Sequence, residues 1–195
     1  MLESLRTLAV VALIGAGSAN GQDYAGPKAL GPFRIDKDVS MKSLFERLGP
    51  PSSTAGDVFC YQSKDGKTFL VLTRMVPVYD AKVAGDVLLS DFQNCRDKPV
   101  YVARDDLVAW KTEDGIGLRA TEQEVLKAYG KPSSVYRIDA SDYAWIIHGY
   151  RPNSADRPDL GDKVFLFTGL PDDLSAAKFG IRRGKVAWIL LSKNE

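Results

Sequence analysis

Two stretches of the chain carry the same spacing of apolar and polar positions. Residues 40–53 read SMKSLFERLGPPSS, and residues 121–134 read TEQEVLKAYGKPSS. In the second, Val125, Leu126 and Tyr129 fall on one face of a helix, with polar residues between them. Thr121 followed by Glu124 is a capping box, and Glu122 and Glu124 place negative charge in the first turn, where the helix dipole favours it. Gly130 suits a left-handed cap, and Pro132 forbids continuation. At the same distances from Ser40 the first stretch has Leu44, Phe45 and Leu48, then Gly49, Pro51, Ser52 and Ser53. Ile35 and Ile116 also correspond. A gapless match of cap, apolar face and stop reads as an internal duplication around two helices.

The rest of the pattern is strand-like. Gly31-Pro32 precede a short extended piece at Phe33, Arg34 and Ile35. Residues 57–62 and 68–73 are apolar runs joined by Lys64-Asp65-Gly66-Lys67, a strong hairpin signal. The run Phe69-Leu70-Val71-Leu72 implies burial on both faces. Val87-Leu88-Leu89 gives a third strand, and residues 100–110 a connector with a short strand. Further strands are predicted at 135–138, 143–150, 163–167, 177–182 and 185–192. The last two join at Arg183-Gly184, with Phe179, Ile181, Val186, Trp188 and Leu190 in one inward phase. Residues 151–162 read as a loop. The fold expected is α+β: two tandem helix-plus-antiparallel-sheet units, at residues 28–98 and 99–195.

Composition adds a compartment. Residues 1–19 read as an export signal. Arg6 supplies positive charge, the apolar run at 8–14 is too short to span a bilayer, and Gly17-Ser18-Ala19 offers a cleavage site after Ala19. The cut lacks a Cys for lipid attachment. In a periplasmic or secreted chain, the two cysteines, Cys60 and Cys95, are expected to form a disulfide. A catalytic thiolate would need a base, and His148 is the only histidine. The 45% hydrophobic and 26% charged residues are ordinary for a globular chain, and the net charge of +1 argues against nucleic acid or anionic membrane as main partner. After removal of the signal, no membrane span is expected.

Local motifs give little chemistry. Gly115-Ile116-Gly117-Leu118-Arg119-Ala120 fits G-x-G-x-x-A, but charged residues rather than a buried strand lead into it. It reads as a turn under the helix, and no cofactor is expected. His148 lacks a G-x-S-x-G partner, and one His with two paired Cys does not make a zinc site. Asp156, Asp159 and Asp162 are spaced to wrap a cation but lack the D-x-D-x-D-G order, so they read as a solvated acidic loop, with no metal expected. Most aromatic side chains are expected in the core. An antiparallel sheet with helices on one face leaves the other face open, and Trp110, Tyr143, Trp145, Tyr150 and Trp188 are the candidates for a partner surface there.

The run GLRATEQEVLKAYGKPSS, then Tyr143-Ala144-Trp145, then FGIRRGKVAWILL resembles the small outer-membrane assembly lipoprotein family (SmpA/OmlA, BamE-like). That family has a glycine-led turn, a helix ending in Gly-x-Pro, and a sheet ending in Gly-Lys-Val. The doubled arrangement is similar to that of the β-lactamase inhibitory proteins. The first half resembles a family of bacterial exported proteins with a Cys-Tyr strand and a later Cys. The lipidated Cys of the lipoproteins is missing, and no target-contacting residue of the inhibitors finds a counterpart. These resemblances imply a non-enzymatic binding or envelope-associated module, its partner another protein of the cell envelope. The alternatives are a proteinaceous inhibitor of a secreted enzyme and a hydrolase whose site carries no motif.

Overall fold

The computed structural model describes residues 26–54, 56–75, 82–139, 143, 146, 158–168 and 175–193. The residues read as an export signal lie outside these. In chain order the elements are β1 (Ala29–Leu30), β2 (Phe33–Arg34), α1 (Met41–Leu48), β3 (Val58–Gln62), β4 (Phe69–Arg74), β5 (Ala84–Ser90) and β6 (Val100–Val102). They continue with α2 (Glu122–Tyr129), β7 (Ser134–Tyr136), β8 (Lys163–Thr168), β9 (Ala176–Arg182) and β10 (Lys185–Ser192). β1 and β2 form a separate hairpin, and the other strands form one eight-stranded sheet in the order β6-β3-β4-β5-β10-β9-β8-β7.

This corrects the expectation of an α+β chain of two tandem helix-plus-antiparallel-sheet units. The protein is mostly β, helices α1 and α2 are short, and the sheet is continuous. β5 and β10 pair in its middle, from Trp188 opposite Ser90 to Ser192 opposite Asp86. Both strands are buried on both faces, and a strand of that kind cannot serve as a sheet edge. The sheet is also mixed, because β6 runs parallel to β3.

The helices form where their caps place them. The Ser40 hydroxyl accepts from the Ser43 N–H at 3.1 Å. At α2 the Thr121 N–H donates to Glu124 at 2.6 Å and the Glu124 N–H to Thr121 Oγ1 at 3.2 Å, completing the capping box. Each helix is anchored to the strand that opens beside it. Met41 N–H donates to the Lys82 carbonyl at 2.7 Å, and Glu122 N–H to the Gly184 carbonyl at 3.0 Å. Leu44, Phe45, Leu48, Val125 and Tyr129 then bury against Phe59, Tyr61, Leu70, Leu72, Val87, Leu89, Phe165, Phe167, Phe179, Ile181, Ile189 and Leu191. The two helices thus share one core on one face of the sheet.

The opposite face is not left open. Cys60, Val71, Leu88, Val164 and Trp188 point that way and are covered by Phe92, Cys95, Ile146 and Leu160. The disulfide joins Cys60 on β3 to Cys95 across this face, with Cα atoms 6.2 Å apart.

The last hairpin does not hold the single phase expected of it. Val186 pairs with Ile181, but Trp188 pairs with Gly180, so the register shifts at Ala187. A one-residue bulge moves every later side chain to the other face. Val186, Ile189 and Leu191 face the helices with Phe179 and Ile181, while Trp188 and Leu190 face away. The Trp188 indole fills the space above Gly180, where a Cβ would lie only 1.9 Å from Nε1. Within the predicted strand at 143–150, Tyr143 and Ile146 are helical.

Candidate functional site

A large groove lies beside α1. It has a volume of about 780 Å³ and is lined by Ser40, Met41, Lys42, Phe45, Glu46, Pro50, Thr54, Arg74, Lys82 and Arg104. That size is within the range of ligand-binding clefts. Amphipathic α1 supplies one wall, since its buried positions dock on the sheet and its exposed flank faces the groove. The end of β4 and the residue before Val83 supply another wall through Arg74 and Lys82.

The floor is aromatic. Phe45 meets Phe59 edge-on at 4.8 Å between centroids, and the Arg74 guanidinium lies 5.3 Å above the Phe59 ring. One Arg74 Nη donates to the Thr54 carbonyl at 2.7 Å, while its Nε is buried without a hydrogen-bond partner. Arg104 closes the far end. Its N–H donates to the Leu48 carbonyl at 2.9 Å, and its side chain crowds Gly49, where a Cβ would sit 3.3 Å from Nε. Gly49 has φ 96°, and its carbonyl accepts the buried Tyr61 hydroxyl at 2.9 Å. Burial, and then the neighbouring Tyr101, push the Tyr61 hydroxyl well above its ordinary range, so it stays protonated and donating.

Among the described residues, Lys42, Arg74, Lys82, Arg104 and Glu46 are the charged side chains that line the groove. Glu46 meets Lys42 at 3.9 Å, and both side chains are mostly exposed, so the pair neutralises little. The groove is therefore an apolar trough with charged side chains along its described rim.

A second cavity of about 500 Å³ lies between Ser63, Lys64, Asp65, Arg104, Asp105, Asp106, Leu107 and Val108. Its carboxylates already have structural work. The Ser63 hydroxyl, and then the Lys67 N–H, hold the Asp65 carboxyl below its usual range. Asp105 accepts from Arg47 at 2.9 Å and from the Trp110 indole at 3.2 Å, and Asp106 accepts from Val108 N–H at 3.1 Å.

The aromatic candidates do not gather on one surface. Trp188 is 0% exposed and Trp110 is 4% exposed, and they belong to opposite faces of the sheet. Trp110 lies against the β1–β2 turn, where a Cβ on Gly31 would come within 2.5 Å of its ring. Tyr143 is half-buried in the second cluster. Trp145 and Tyr150 lie outside the described residues, as do His148 and Asp156. Asp159 accepts from Gly161 N–H at 3.0 Å within its own loop, and Asp162 accepts from Arg183 N–H at 2.9 Å, tying that loop to the β9–β10 turn. Among the described residues there is no group of three or more His, Cys, Asp or Glu placed to hold a metal ion. The groove cations come from four separate segments, and no local motif marks them.

No family model, curated protein or solved structure matches this chain.

Proposed function

We propose that the protein is a non-enzymatic binding module of the cell envelope or the extracellular space, and that the groove beside α1 holds its partner. The observation that carries this reading is the groove itself. Among the described residues, Lys42, Arg74, Arg104 and Glu46 place charge around an apolar floor formed by Met41, Phe45 and Pro50. Such a surface is built for association, since it concentrates field where hydrophobic contact is also available. An oxidising compartment is supported by the Cys60–Cys95 disulfide, and the reading of residues 1–19 as an export signal agrees with it. No helix of the described residues is long and apolar enough to cross a membrane.

The test is capture from an envelope extract with the wild-type chain and a Thr54→Trp variant. Thr54 is exposed and contributes its carbonyl, not its side chain, to the bond with Arg74, so a large ring there fills the groove without breaking that bond. A stoichiometric partner held by the wild type and lost in the variant is the expected result. Equal capture by both chains, or none by either, would remove the groove from the account.

A further inference from the structure

We propose that the Cys60–Cys95 disulfide is a redox switch. Its formation docks β6 on the sheet and sets the Arg104 end of the groove, and its reduction frees that strand while the rest of the sheet stays folded. The placement of β6 carries this. It ends the sheet on one side and runs parallel to β3, with Val100 opposite Cys60. A parallel strand is reached by a crossover, normally of about a dozen residues or more and usually containing a helix. Here residues 91–99 make the crossover, over the face opposite α1 and α2, with no helix of their own. Phe92, Asn94 and Cys95 are buried, but residues 96–99 are all exposed. The strand itself brings little. It has 3 residues, of which Val100 and Tyr101 are only half-buried and Val102 is 56% exposed. A strand with so little apolar burial, paired on one side, opens easily. The disulfide fastens the crossover at the pair where β6 begins, and so removes much of the freedom the strand would regain on opening.

β6 leads directly into the groove. The Tyr101 and Ser52 hydroxyls share a hydrogen bond at 2.9 Å. Ala103 N–H donates to the Gln62 carbonyl at 2.8 Å, and Arg104 N–H to the Leu48 carbonyl at 2.9 Å. Pro50, Thr54 and Arg104 line the groove on that side. When β6 leaves the sheet these links go with it, so the oxidised and reduced chains differ at the binding surface. Closing the bond removes two protons and two electrons from the Cys60 and Cys95 thiols as the Sγ–Sγ bond forms. A disulfide oxidant takes them and is released as two thiols, and a dithiol reductant runs the same exchange backwards. Both cysteines are buried, so the exchange proceeds through opening of this edge.

The experiment compares amide NMR spectra of the oxidised full chain, the chain reduced with dithiothreitol, and the Cys60→Ser, Cys95→Ser double variant. Reduction is confirmed by thiol labelling after denaturation. In the reduced chain and in the variant, the signals of residues 100–104 should move to unstructured positions. Exchange at the Ala103 amide should come within about tenfold of the free-peptide rate. Signals of β4, β5, β9 and β10 should keep their positions. Oxidised glutathione should restore the signals of residues 100–104 in the reduced wild type and leave the double variant unchanged. Native positions for residues 100–104 without the disulfide would overturn the proposal, and so would their failure to return on reoxidation. Collapse of the whole spectrum would overturn it as well, since the bond would then hold the entire fold. The readout needs no partner, so it stands or falls apart from the binding-module reading.

Discussion

Replacing Gly180 by Ala puts a methyl group where the Trp188 indole already is. The new Cβ would lie 1.9 Å from Nε1 and 2.0 Å from Cε2, on a ring that is 0% exposed. Carbon contacts are comfortable near ~3.5–4.0 Å, so the indole has to move by more than about 1 Å. Overpacking of this kind costs about 1–3 kcal/mol. The displaced indole also loses its 2.8 Å bond to the Leu160 carbonyl. Leaving those buried groups unpartnered costs about 1–3 kcal/mol more. The expected loss is therefore roughly 2–6 kcal/mol, a large part of the roughly 5–15 kcal/mol that holds a typical domain together. Equilibrium urea unfolding followed by circular dichroism measures it. A Trp188→Leu background supplies the control, because the smaller side chain vacates the space and the Gly180→Ala penalty should shrink markedly there. A Gly180→Ala chain within about 0.5 kcal/mol of the wild type, or an equal penalty in both backgrounds, would refute the packing of Trp188 on Gly180 and with it the bulge at Ala187.

Three further outcomes are expected. Replacing Cys60 and Cys95 together by Ser opens a loop with a sequence separation of 35, and should cost roughly 3–4 kcal/mol in chain entropy, read from urea midpoints. The Thr121 N–H, and then its hydroxyl, hold the Glu124 carboxyl below the usual range. Because the folded pKa is the lower one, this contribution is present above the ordinary Glu range and is lost as pH falls through the folded value. Glu124→Gln should flatten that part of the acid dependence, measured by denaturation between about pH 6 and about pH 3. Burial pushes the Asp91 carboxyl up, while Arg182 and then Arg119 pull it down. With the folded pKa raised, stability falls as pH rises from the ordinary Asp value through the folded one. Arg182→Gln widens that interval, so its deficit should be small in acid and grow as pH rises.

What the sequence made legible was local. The caps at Ser40 and Thr121, the stops at Gly49 and Gly130 and the turn at Asp65-Gly66 depend on residues a few positions apart, and each forms where it is read. The cysteine pairing followed from the even count together with the expected export of the chain. The join of β5 to β10 did not, because both strands read as apolar runs and periodicity does not say which strand lies beside which. The bulge at Ala187 was invisible for a related reason. A strict alternation fits Val186, Trp188 and Leu190 as well as the real set, and only the pairing with β9 distinguishes them. Tyr143 and Ile146 sit in a short apolar run, where strand and helix cannot be told apart by pattern. The groove was hidden most deeply, since Lys42, Arg74, Lys82 and Arg104 converge only when α1 docks against the sheet.

The most direct test of the account is an amide-resolved NMR titration of the full chain with the partner captured from the envelope extract. The perturbed amides should centre on residues 40–46, Thr54, Arg74, Lys82 and Arg104, with residues around β7 and β8 unmoved. Shifts concentrated on the opposite face of the sheet, or no shifts at all, would contradict it.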